Sequence, residues 1–264
     1  MLLDSVVLIL REVLEAAALV SVLLALSRSL EQQGRWVFWA LAAGAIATFS
    51  FASNLESVTD ALDGSGQEVA NAVVQLGVYI LALAIVTLSA RGRYGTAGMQ
   101  SSSLSALMIA CVACAVFREG AEIFVFVSGF TASAEYRTAV FAGSFIGAGI
   151  GVSLGILLYS GLRALAPGTG YRTAVLLLGL IGAGMAMQAT ILLEQIDWLP
   201  AGRPIWDSSW LIDEQSIAGE LLYAVFGYEA TPGGRQVVAY LAGLCLMLAG
   251  YLFGSNSGLS QDAH

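Results

Sequence analysis

Lysine is absent from the 264-residue chain, histidine occurs once at its last position, cysteine three times, and charged residues of all kinds amount to 11%. Each shortage removes a class of reading. So few charges, against roughly a quarter in a soluble domain, cannot cover a water-facing surface. Three cysteines, Cys111, Cys114 and Cys245, suggest no disulfide framework. With no histidine in the apolar stretches, no imidazole ligand is available there. The eleven basic residues, all arginine and outnumbered by nineteen acids, form no basic patch for nucleic acid. No linker or low-complexity run divides the chain, which reads as one integral domain, 1–264.

What remains is apolar: 58% of residues are hydrophobic and the mean hydropathy is +0.80. Stretches of about 20 apolar residues, enough to cross a ~30 Å hydrocarbon core, run roughly over 3–27, 36–53, 68–90, 104–130, 138–162, 173–194 and 236–254. An all-α integral membrane protein with seven transmembrane helices is expected. The first stretch is no signal peptide, because it lacks a basic start and carries Arg11, Glu12 and Glu15 in its core. Arginines set the orientation. Arg28, Arg35, Arg91, Arg93, Arg163 and Arg172 follow the first, third and fifth stretches, whereas only Arg137 follows the second or fourth. By the positive-inside rule this places the N-terminus outside and the C-terminus in the cytoplasm, in a multi-pass protein of the cytoplasmic membrane.

The net charge of -8 then belongs mostly to the outer face. Glu56, Asp60, Asp63 and Glu68 gather after the second stretch, and Asp197, Asp207, Asp213, Glu214, Glu220 and Glu229 lie in the long connection 195–235. Sorting of arginines inward leaves acids outside by default; the same acids would also concentrate cations at the outer mouth. Within that connection "DEQSIAGELLYAVFGY" places Ile217, Leu221, Ala224 and Val225 on one face, which predicts a short helix lying at the interface, as an anchor, lid or docking surface.

Two stretches carry charge in their middles. Arg11-Glu12-x-x-Glu15 recurs as Arg118-Glu119-x-x-Glu122, and Val20-Ser21 recurs as Val127-Ser128. An odd number of helices separates the copies, so they run in opposite directions. That describes an inverted repeat, residues 3–90 against 104–194, with a seventh helix, 236–254, added. Residues three and four apart share a helical face, so Glu12 and Glu15 point together and Arg11 reaches Glu15, with the second copy repeating the arrangement. Both clusters lie roughly 12 to 25 Å along their helices, near mid-membrane.

A charge at that depth costs on the order of 3 kcal/mol even on lenient scales. Two arginines can each neutralise one glutamate and bind helices together, but four glutamates leave a formal surplus of two negative charges, which fits a site whose missing partner is a cation. Carboxylates without histidine, and without methionine beside the motifs, make a hard oxygen site. Such a site disfavours copper(I) and suits calcium, magnesium, manganese or ferric iron; charge alone does not choose among them. An intramembrane enzyme using paired carboxylates is the other class to weigh, and di-iron bundles add Glu-x-x-His, which these stretches lack.

The paired motifs in the first and fourth of seven helices resemble the oxidase-dependent, high-affinity iron permease family, and "WDSSWLIDEQS" and "FGYEATP" before the last helix resemble its bacterial branch. The family's usual motif is Arg-Glu-Gly-Leu-Glu; here Val13 replaces glycine in the first copy and Ala121 replaces leucine in the second, with every charged position kept. The resemblance implies a transporter and not an enzyme, with no prosthetic group. It implies import of iron, presented as ferric iron after oxidation by a separate extracytoplasmic oxidase. A multicopper ferroxidase is the fungal partner, and a periplasmic iron-binding protein with a haem peroxidase is the bacterial one. Glu12, Glu15, Glu119 and Glu122 would then be iron ligands, with Arg11 and Arg118 orienting them. A permease for another divalent cation such as manganese shares the architecture. Of the remaining polar residues, packing hydrogen bonds account for most of Glu68, Asn71, Gln75, Gln188 and Glu194, with Glu68 and Glu194 as candidate way-stations at the outer mouth. Cys111 and Cys114 read as small packing residues, and His264 as solvated.

Overall fold

The computed structural model describes residues 1–94, 101–131 and 134–261; His264 and the side chain of Asp63 lie outside the described residues. The elements are α1 (Leu2–Ser29), α2 (Trp36–Ala52), the short α3 (Leu55–Thr59), α4 (Gly66–Tyr94), α5 (Ser101–Thr131), α6 (Ala134–Ala164), α7 (Pro167–Gln195), the short α8 (Ile217–Phe226) and α9 (Gly234–Gln261). Among the described residues the only β-type pairing is one isolated bridge, Pro204 with Gly233. The seven apolar stretches become α1, α2, α4, α5, α6, α7 and α9. Four of these, α4, α6, α7 and α9, are long and apolar enough to cross a membrane. α1 and α5 have the length, 28 and 31 residues, but each carries three charges in its middle. α2 is apolar along its 17 residues.

Local signals fix several ends. α7 begins at Pro167 after extended Ala166, where proline's missing amide hydrogen costs nothing. Arg91 and Arg93 end α4 and Arg163 ends α6, each beside the negative pole of its helix.

α1 packs along α6, and α2 along α5; α1 also meets α5 and α7, while α4 meets α5 and α7. These main pairings are unchanged when α1 is exchanged with α5, α2 with α6 and α4 with α7. α9 lies beside α4 and α7. The α1–α6 contact is a ladder of small residues at Gly143, Gly147, Gly151 and Gly155. A methyl added at Gly147 would sit 2.5 Å from the Val6 carbonyl, and one at Gly155 would sit 2.7 Å from Ala17 Cβ. Ser21 Oγ locks the ladder by donating to the Gly155 carbonyl at 2.7 Å. Without a hydrophobic drive between helices in lipid, such close approach and interhelical hydrogen bonding supply the cohesion. The core between α1, α4, α5 and α7 is filled by Leu19, Val22, Leu23, Met108, Val112 and Leu178, all buried. Cys111 and Cys114 are free thiols, Cys111 buried with its Sγ 3.9 Å from the Val78 carbonyl, in keeping with packing.

The short helix expected in the long connection is α8. α8 starts at Ser216, whose hydroxyl accepts from the Gly219 amide at 3.0 Å, and ends at Gly227 in a left-handed turn, φ 66°. That end abuts Gly184, where a methyl group would come within 2.9 Å of the Phe226 carbonyl carbon. Gly184 lies eleven residues before the end of α7, about 16 Å along it. Two glycines seat this end against α7, and α8 also packs on α1. Behind it the connection is braced: Glu214 Oε1 accepts from the amides of Ala230 at 2.6 Å and Thr231 at 2.9 Å, and Tyr228 donates to the Ile212 carbonyl at 3.0 Å. "WDSSWLIDEQS" and "FGYEATP" are thereby tied to each other.

Candidate metal centre

The motifs of α1 and α5 meet face to face. Arg118 is the hub: its Nη1 donates to Glu15 Oε2 at 2.6 Å across the helix interface and to Glu119 Oε1 at 2.7 Å, and its Nη2 lies 3.1 Å from Glu122 Oε1. Arg11 instead donates to Glu12 Oε1 from Nε at 2.9 Å and from Nη2 at 2.6 Å. The expected Arg11–Glu15 pair is therefore replaced by Arg11–Glu12. α1 turns Glu15 toward α5, where Arg118 takes it, and leaves Arg11 at the edge of a cavity; in the second copy the intrahelical Arg118–Glu122 pair is present as read.

Glu12, Glu119 and Glu122 each bring one carboxylate oxygen within 4.8 Å of the other two. Spacings of that size suit a cation held at about 2.0 to 2.6 Å from each oxygen. Glu12 and Glu119 are almost wholly buried, 1% and 2% exposed. Glu12 Oε2, Glu15 Oε1 and Glu119 Oε2 are buried without a hydrogen-bond partner. Orphaned buried oxygens are costly and call for a missing partner. Two arginines and four glutamates leave two formal negative charges over. Glu15 stands outside the group of three, held by Arg118.

A polar cavity of about 370 Å³ leads to the cluster between α1, α4, α5 and α7, lined by Arg11, Glu12, Glu68, Asn71 and Glu122 among others. Glu68 is thus brought to the approach, with Oε2 buried and unpartnered. Glu194 is not among its lining residues; it turns toward α9, where Gln236 Nε2 donates to its Oε2 at 2.8 Å. Sequence reasoning gave Asn71 only a packing role, yet its Nδ2 donates to Glu122 Oε1 at 3.2 Å. The available signal was the polar stripe Glu68, Asn71, Gln75 on one face of an apolar helix. Gln75 Nε2 donates to Gln188 Oε1 at 2.8 Å, and Gln188 Nε2 to the Tyr223 carbonyl at 3.3 Å, which connects α4, α7 and α8 beneath the cluster. A second, apolar cavity of about 420 Å³ reaches Glu119 from between α1, α2, α5 and α6, with Val20, Ile156 and Tyr159 in its walls. On the long connection, Asp207 is held below its ordinary carboxylate value by the hydroxyl and amide of Ser209, at 2.6 and 2.9 Å.

Apolar membrane-length helices around a buried, undercompensated carboxylate centre with a polar approach define a multi-pass membrane protein built to handle a cation. Residues 2–253 match the model of the iron permease FTR1 family, and the chain belongs to that family. It is therefore a transporter and not an enzyme, and iron is the cargo that its family names. No curated protein and no solved structure matches the chain.

Proposed function

We propose that the chain carries ferric iron, supplied by a separate extracytoplasmic oxidase, across the cytoplasmic membrane through a centre formed by both Arg-Glu-x-x-Glu motifs. The observation that carries this reading is the meeting of Glu12, Glu119 and Glu122 oxygens within 4.8 Å at the foot of a polar cavity. Glu15 is the fourth member, kept by Arg118, and Glu68 is a station on the approach. Arg11 and Arg118 orient the carboxylates. The permease is one domain of seven spans, N-terminus outside, in which residues 3–90 and 104–194 are inverted repeats. The exchange of α1 with α5, α2 with α6 and α4 with α7 that preserves the main helix pairings supports that symmetry. A periplasmic iron-binding protein and a haem peroxidase are the partners that the bacterial-branch resemblance favours.

Uptake of radioactive iron into proteoliposomes, with manganese and calcium as competitors, tests the reading. Iron uptake that excess manganese or calcium does not suppress, and that Glu12→Ala and Glu119→Ala abolish, is expected. Preferential uptake of manganese, or unimpaired iron uptake by folded variants, would overturn it.

A further inference from the structure

The two motifs are alike in sequence and unlike in their surroundings. The Arg11 side chain is 30% exposed and serves Glu12 alone, whereas that of Arg118 is 7% exposed and bridges Glu15, Glu119 and Glu122. The asymmetry extends beyond the charges. On α1 and α5 the polar cavity is lined by Leu8, Arg11, Glu12, Glu122, Val125 and Phe126. Their counterparts, 107 positions away, are Ala115, Arg118, Glu119, Glu15, Ala18 and Leu19, and every one is buried. One end of the pseudo-symmetric passage is open and the other is packed shut.

Two halves that carry the same charged motif in unlike arrangements can trade arrangements, because the ion pairs that one motif gives up are open to the other. Resting on the permease reading above, we infer that the two motifs exchange roles during transport. In the arrangement described, Glu12, Glu119 and Glu122 receive the cation from the outer cavity while Arg118 holds Glu15 away. In the exchanged arrangement Arg11 bridges Glu12, Glu15 and Glu122, Arg118 keeps Glu119 alone, and the ion rests on Glu119, Glu12 and Glu15. The passage then opens inward past Ala115, Ala18 and Leu19. Glu12 and Glu119 belong to both sets, so a single ligand, Glu122 for Glu15, changes hands and the ion is never stripped of carboxylates. Glu122 is the outward ligand and Glu15 the release ligand. The apolar cavity at Glu119 is the rival exit, but beyond Glu119 its walls offer only apolar groups, the Tyr159 side chain and Ser21, whose hydroxyl is engaged with Gly155.

Single cysteines at Val125, Ala18, Ala115 and Ile156, placed in a transport-competent chain with Cys111, Cys114 and Cys245 changed to alanine, test the exchange in proteoliposomes with a membrane-impermeant thiol reagent. During iron turnover, V125C is expected to lose outer labelling while A18C and A115C gain inner labelling, with I156C unchanged. Labelling of I156C instead, or no change at Ala18 and Ala115 while iron is moving, would overturn it. In parallel, Glu122→Gln should weaken iron binding from outside about tenfold. Glu15→Gln should leave that affinity within about twofold and slow turnover instead. Equal loss of outside affinity in both variants would sink the ligand exchange. Absence of iron uptake by the parent chain would overturn the permease reading itself, and with it this one.

Discussion

Arg118 places one guanidinium against three carboxylates, at 2.6, 2.7 and 3.1 Å. Its planar fork spreads its donors over separate nitrogens, Nη1 for Glu15 and Glu119 and Nη2 for Glu122, whereas the donors of lysine share one nitrogen. Arg118→Lys should therefore lower iron uptake by about tenfold or more. Arg11→Lys, with one partner and a partly exposed side chain, should cost less; uptake rates at matched expression compare them, and equal losses would deny Arg118 its special place. Arg118→Ala leaves three carboxylates, two of them buried, without their cation, a change expected to destabilise the fold by about 3 to 5 kcal/mol. Asn71→Ala removes a hydrogen bond to a charged group, worth about 1.5 to 3 kcal/mol. It should raise the half-saturating iron concentration more than it lowers the maximal rate. The sequence named the four glutamates and two arginines because charges in an apolar helix are conspicuous. It did not name their partners: helical spacing speaks only of residues three and four apart, while Arg118 and Glu15 are 103 positions apart. Under the exchange inferred above, the Arg11–Glu15 pair that spacing favours belongs to the other arrangement.

Among the helices, hydropathy sufficed to locate α1, α2, α4, α5, α6, α7 and α9 because each is mostly apolar over 17 residues or more. The contacts between them were not legible in the same way. Gly147 and Gly149 are two residues apart on α6, yet a methyl on the first meets the Val6 carbonyl at 2.5 Å and one on the second meets nothing within 4 Å. Gly147→Leu is expected to destabilise the protein by about 1 to 3 kcal/mol through overpacking. Gly149→Leu should be nearly neutral. Thermal unfolding in detergent compares the two, and equal midpoints would contradict the ladder. α8 shows the opposite limit. Its apolar face was legible from Ile217, Leu221, Ala224 and Val225, but the close approach of Gly184 and Gly227 that seats its end on α7 joins distant residues and has no local signature.

For the bundle as a whole, charge and the cavity point the same way. The acids of the long connection lie on the side where the polar cavity opens, between the starts of α1 and α4 and the ends of α5 and α7. Everything rests on the deficit of positive charge at Glu12, Glu119 and Glu122 being made good by the cargo. Iron bound per purified chain, measured after equilibration and removal of free metal, reads this directly. The parent protein should hold one iron per chain, and the isosteric triple variant Glu12→Gln, Glu119→Gln, Glu122→Gln, shown to be folded by its helical circular dichroism, should hold none. Iron retained undiminished by that folded variant would contradict the assignment.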